Sequence, residues 1–156
     1  MERIYLDYAA ATPLDERVLQ AMMPYLTSEF GNPSSLHAYG QIARAAVRTA
    51  RRRTAASLGA EAQDIVFTGG GTEANNLAIL GYLRANCPHG GHIVTTAVEH
   101  ASVLRIFESL AGRGYDVTFL PVGEDGRVNM EEVRRSLRDD TVLVSVMAAN
   151  NETGMI

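Results

Sequence analysis

Four short, almost unbroken apolar runs, at residues 65–67, 92–95, 117–120 and 142–147, constrain this chain more than any other feature. A strand with one face in water alternates apolar and polar residues. A strand covered on both faces is apolar nearly throughout, and parallel sheets contain such strands. Longer stretches of helical pattern separate the runs. Residues 15–28 follow Thr12-Pro13 and open with Asp15-Glu16, acidic residues that suit a helix N-terminus. Residues 38–58 are rich in alanine and arginine, both good helix formers. Residues 72–86, 101–111 and 130–138 complete the set, the first with apolar side chains on more than one face. Two helices followed by repeated strand and helix predict an α/β fold, with helices on both faces of a mostly parallel sheet. Crossovers in such sheets are right-handed, and ligands sit at the carboxyl ends of the strands.

Composition narrows the class. At 156 residues, 46% hydrophobic and 21% charged, the chain has the make-up of a globular domain with a core of ordinary size. No apolar stretch approaches the ~20 residues that span a bilayer, and Met1-Glu2-Arg3-Ile4 does not open a signal peptide. A cytoplasmic setting and no membrane association are expected. A net charge of −4 gives no general attraction for nucleic acid. One cysteine, Cys87, excludes an internal disulfide, and no set of Cys and His around it has metal-ligand spacing. All 14 basic residues are arginine; lysine is absent.

The residues that follow the apolar runs hold the candidate chemistry. Thr68-Gly69-Gly70-Gly71-Thr72-Glu73 leads into a helical stretch. Glycines let a ligand approach the backbone, and the N–H groups at a helix start favour an anion. A phosphate there would gain about 1.5–3 kcal/mol per charge-assisted hydrogen bond. A plain glycine-rich turn with a threonine cap explains the same residues. The segment is neither a P-loop nor a dinucleotide fingerprint, since each requires residues missing here. After the second run, Glu99-His100 stands at the start of the next helix. His100 reads either as a polar helix-start residue or as a flat ring and proton shuttle facing a planar ligand. After the fourth run, Asn150-Asn151-Glu152-Thr153-Gly154 offers two amides that can orient a ligand oxygen or simply make a turn. Gly31-Asn32-Pro33-Ser34-Ser35-Leu36-His37 reads as turn chemistry between helices. Arg44, Arg48, Arg51 and Arg52 share one helical face, expected to be solvated.

Five of these segments in register resemble the cysteine desulfurases: Tyr5-Leu6-Asp7-Tyr8-Ala9-Ala10-Ala11-Thr12, Phe30-Gly31-Asn32-Pro33-Ser34-Ser35-Leu36-His37, Thr68-Gly69-Gly70-Gly71-Thr72-Glu73-Ala74-Asn75-Asn76, Glu99-His100, and residues 144–154. The resemblance spans the whole chain, and its Asn-Pro-Ser-Ser and Asn-Asn-Glu-Thr-Gly segments are closest to the branch that serves iron–sulfur assembly. It implies part of a pyridoxal-phosphate-dependent transferase fold of type I. Residues 1–14 would belong to the small domain of a parent enzyme, and residues 15–156 would begin its large cofactor domain. It further implies a homodimer that converts L-cysteine to L-alanine and passes persulfide sulfur to a scaffold protein. Pyridoxal 5′-phosphate would be the cofactor. By position, Gly71 and Thr72 would hold its phosphate and His100 would stack on its ring and take part in proton transfer. Asn151 would contact the ring-substituent oxygen.

The family attaches its cofactor covalently through a lysine, and this chain has none. The resemblance places that lysine and the nucleophilic cysteine beyond residues 144–154, so the expectation is an N-terminal fragment, inactive alone. Two other readings share the residues. Another enzyme of the same class, such as a selenocysteine lyase or a kynureninase-like enzyme, would keep the phosphate loop and histidine. A non-catalytic interaction or dimerisation fragment would keep only the fold.

Overall fold

The computed structural model describes residues 3–8 and 10–156. Met1, Glu2 and Ala9, the last within the opening motif, lie outside the described residues. The chain divides into two compact units, Met1–Phe67 and Thr68–Ile156.

The first unit carries helices α1 (Glu16–Thr27) and α2 (Ala38–Leu58). Asp15 caps α1 by accepting from the Arg17 N–H at 2.8 Å. The Arg17 guanidinium, bonded to the same carboxylate, holds it below the usual aspartate range. His37 caps α2, and Gly59, at φ +65°, ends it in the left-handed conformation that glycine adopts without steric cost. Two of the four aligned arginines bond to backbone rather than standing wholly in solvent. Arg44 donates through Nε to the Pro33 carbonyl at 2.8 Å, and Arg51 donates to the Ile65 carbonyl. Arg51 also lies over the Phe67 ring, 5.3 Å from its centroid.

That contact accompanies the main correction to the expected fold. Residues 65–67 follow a 3-10 turn at Ala62–Asp64, with Ile65 extended, but form no strand. Their apolar composition suits a ladder, but they pair with no other strand among the described residues, and Val66 and Phe67 are exposed. A strand is a property of a pair, and periodicity within one segment cannot supply the second member.

The second unit holds α3 (Gly71–Asn86), β1 (Gly91–Thr96), α4 (Ala101–Ala111), β2 (Tyr115–Leu120), α5 (Met130–Ser136) and β3 (Thr141–Ser145). The three strands are parallel in the order β2-β1-β3, so the sheet has three strands rather than four. Central β1 is buried on both faces, as expected for the middle strand of a covered parallel sheet: Ile93, Val94, Thr95 and Thr96 are inaccessible to solvent. Leu83 of α3 and Ile106, Phe107 and Leu110 of α4 close over Ile93 to form the core. The path from β1 to β2 runs one way across the sheet, and the path from β2 to β3 runs back past β1. With right-handed crossovers, α4 and α5 fall on opposite faces, giving the doubly covered α/β arrangement.

The buried Thr95 hydroxyl of β1 has no hydrogen-bond partner among the described residues, whereas the buried His92 ring is paired at both nitrogens. His92 spans three strands, with Nδ1 2.8 Å from the Thr141 hydroxyl and Nε2 2.9 Å from that of Thr118. Where the chain enters β1 the backbones crowd together. A Cβ at Gly90, where φ is +100°, would stand 2.1 Å from the Gly114 carbonyl oxygen.

Candidate functional site

The reversal of direction at β1 makes the carboxyl ends of β1 and β3 the switch point of the sheet, the place where α/β folds open a crevice. The loops leaving these two strands are fastened together. Glu99, buried behind β1, accepts at one oxygen from the Thr96 hydroxyl at 3.0 Å and from the Met147 N–H at 2.7 Å. The Asn150 amide donates to the Val98 carbonyl at 3.4 Å. Its own oxygen accepts from the N–H groups of Glu152 and Thr153, which closes the turn after β3.

The second component is the start of α3. Gly70 provides no side-chain cap, and the Ala74 N–H is the first in this turn to reach an acceptor of the helix, the Gly70 carbonyl. The N–H groups of Gly71, Thr72 and Glu73 precede that bond and point out of the helix end. The Glu73 carboxylate folds back and takes the Gly69 N–H at 2.6 Å, leaving those three to an outside acceptor. A Cβ built on Gly70 or Gly71 would meet nothing within 4 Å. The glycine turn therefore has open space above it, beside three donors and the positive end of a sixteen-residue helix.

The third component is His100, the cap of α4. Its Nδ1 accepts from the Ser102 N–H at 3.1 Å. The Ser102 hydroxyl lies 2.8 Å from the same nitrogen and accepts from the Asn75 amide of α3 at 2.8 Å. The two readings of His100 as helix cap and as ligand-facing ring are thus compatible, because the cap occupies only one ring nitrogen.

Thr72 and His100 line one hollow of about 710 Å³ between α3 and α4, together with Asn76 and Ser102. Arg84, Arg105 and Arg113 line it as well. Gly71 adjoins Thr72 but is not part of that lining, and neither is Asn151. Asn151 is exposed on the turn after β3, while its neighbour Asn150 makes the contacts that hold the turn. Two of the three loops expected to converge therefore do so in this hollow. Sequence reasoning named Glu99, Asn75 and Asn150 within its motifs without these ties between loops, and it missed Ser102; the ties link segments far apart along the chain. No helix among the described residues is long and apolar enough to cross a membrane.

Comparison with known proteins agrees with this geometry. A Bacillus subtilis (strain 168) protein provisionally named cysteine desulfurase IscS 1 is 53% identical over all of this chain, which covers 41% of that protein. The cysteine desulfurase IscS of Methanosarcina thermophila is 47% identical over 98% of the chain and 38% of its own length. Among solved structures, a NifS-like protein superposes with a TM-score of 0.92 at 36% identity, over 97% of this chain and 42% of that one. SspA in complex with cysteine superposes with a TM-score of 0.88 at 38% identity, over 95% and 43% of the respective chains. The chain thus spans about two fifths of the length of these relatives. The sequence profile of aminotransferase class-V matches residues 4–156, nearly the full chain. A parallel sheet, an open glycine turn at a helix start and a histidine facing the same hollow are what residues 4–156 build, and the chain belongs to the aminotransferase class-V family.

Proposed function

We propose that this chain is the phosphate-anchoring part of a pyridoxal 5′-phosphate-dependent cysteine desulfurase. The observation that carries the reading is the uncapped start of α3 opening beside Thr72 into the hollow that His100 lines. The donor set fits a phosphate dianion: three backbone N–H groups, one hydroxyl and a helix dipole. The exposed imidazole at the same hollow fits an aromatic ring attached to that phosphate.

When bound, pyridoxal phosphate would supply an electron sink that withdraws charge from the substrate's α-carbon. The chain's own residues would bind and orient. Gly71 and Thr72 hold the phosphate through their N–H groups and the Thr72 hydroxyl. His100, with Nδ1 occupied as a cap, presents its ring face and its Nε2 edge, the position from which it would move a proton. Glu99 locks the loop that carries His100 against the segment after β3. Asn151 receives the ring-substituent oxygen on the resemblance alone. The chain contains no lysine, so it does not itself supply the covalent attachment.

The parent protein would take L-cysteine, release L-alanine and place the sulfur on an enzyme cysteine for delivery to an iron–sulfur scaffold protein. It would work as a cytoplasmic homodimer. Residues 1–14 would join its small domain and residues 15–156 would begin its large one.

Equilibrium dialysis of the full chain with pyridoxal 5′-phosphate tests the reading. Non-covalent binding is expected, weakened roughly tenfold by Thr72→Ala, the equivalent of one hydrogen bond to a charged acceptor. Inorganic phosphate should compete, and incubation with cysteine should release no sulfide. Binding unaffected by Thr72→Ala and by phosphate would overturn the assignment.

A further inference from the structure

We propose that the Asn75 and Ser102 side chains are positioning groups that fix the orientation of His100, whose tautomer the Ser102 backbone N–H sets, coupling the ring to the helix that would hold the phosphate. The inference rests on the site reading above for its functional meaning, but the relay itself stands on three distances. The Asn75 amide nitrogen is 2.8 Å from the Ser102 Oγ. That Oγ is 2.8 Å from His100 Nδ1, and the Ser102 backbone nitrogen is 3.1 Å from Nδ1.

The direction of each bond follows from which groups can only donate. A backbone N–H has no acceptor capacity, so His100 Nδ1 must present its lone pair to Ser102. An Nδ1–H would set two protons against each other. The neutral ring therefore carries its proton on Nε2. The Asn75 amide NH₂ likewise only donates, so the Ser102 Oγ uses a lone pair toward Asn75. Its own proton is then left for Nδ1. The relay runs Asn75 to Ser102 to His100 with one sense throughout, and chains of this kind strengthen each member.

The placement explains why an amide and a hydroxyl are used. Asn75 stands in the first two turns of α3, three residues after Thr72, and Ser102 is the second residue of α4. The bond between them crosses 27 residues of sequence and ties the two helix starts together. The ring is thereby held in register with the glycine turn. A cofactor spanning phosphate site and imidazole would meet a proton-bearing Nε2 in every molecule rather than a mixture of tautomers.

The test uses the full chain with ¹⁵N-labelled histidine, its ring nitrogens read by two-bond proton–nitrogen correlation and His100 assigned by its loss in His100→Gln. The wild type should show the Nε2–H tautomer at His100. Asn75→Asp is nearly isosteric but turns a donor into an acceptor. It should draw the Ser102 proton away from Nδ1 and move the Nδ1 resonance downfield, toward that of a lone pair without the hydroxyl bond, while the Ser102 backbone N–H keeps the ring proton on Nε2. Ser102→Ala should do the same, and Ser102→Thr, which keeps the hydroxyl, should restore the wild-type pattern. Pyridoxal 5′-phosphate, measured separately by dialysis, should bind about fivefold more weakly to Ser102→Ala, the equivalent of one neutral hydrogen bond. An Nδ1–H tautomer in the wild type, or an Nδ1 resonance unmoved by both Asn75→Asp and Ser102→Ala, would overturn the relay. The predicted pattern of Nδ1 shifts without any cofactor binding would leave the relay standing and sink the cofactor reading instead.

Discussion

Glu99 shows how a single residue sets the geometry of the hollow without lining it. Its carboxylate is buried and accepts from the Thr96 hydroxyl and the Met147 N–H. It thereby joins the end of β1 to the segment after β3 and fixes the backbone just before His100. Removing the side chain leaves the Met147 N–H, which belongs to a half-buried residue, without its acceptor. Glu99→Ala should lower stability by about 1–3 kcal/mol in urea unfolding followed by circular dichroism. Glu99→Gln retains an acceptor oxygen and should recover most of the loss. Equal stability of the wild type and Glu99→Ala would mean that the two loops do not depend on this tie. The residue scale also divides what sequence could reveal. Thr72 and His100 stood out because a helix start and a strand end mark them locally. Glu99, Asn75 and Ser102 act through partners 48 and 27 residues away, and no window of sequence displays such pairs.

Among the elements, the helices were the most legible. Their periodicity and caps lie within a few residues of each other, so 38–58 and 101–111 were expected with the bounds that α2 and α4 have. The strand expected at 65–67 failed because a ladder needs a second segment, and the same apolar run is equally at home as a stretch held to α2 by Arg51. β3 also ends two residues early, at Ser145, where the chain turns to let the Met147 N–H meet Glu99. These elements leave apolar groups in water. No residue of α1 is buried, and Met22, Met23, Tyr25 and Leu26 are exposed along it. On β3, an edge strand, Val144 is 45% exposed, and Val146 just beyond it is 44% exposed. Edge strands with apolar surface recruit other chains. The chain should therefore self-associate in size-exclusion chromatography with light scattering, and Val144→Lys, a charge on the edge strand, should reduce the apparent mass. A monomer across a concentration series would contradict this.

At the scale of the whole molecule, a sheet that reverses direction at β1 brings a helix start and a capping histidine to one hollow, and this arrangement precedes any chemistry. The fold class could be read from the apolar runs, and the hollow could be anticipated from the rule that α/β sheets bind ligands at strand ends. In the third loop Asn150 makes the contacts that hold the turn, and neither it nor the exposed Asn151 lines the hollow. The most direct test is amide and histidine-ring NMR of the ¹⁵N-labelled full chain titrated with pyridoxal 5′-phosphate and, in parallel, with inorganic phosphate. Both ligands should shift the N–H resonances of Gly71, Thr72 and Glu73, and only the aromatic ligand should also move the His100 ring. Shifts confined to the part of the hollow around Arg84 and Arg113, with the start of α3 unmoved, would contradict it.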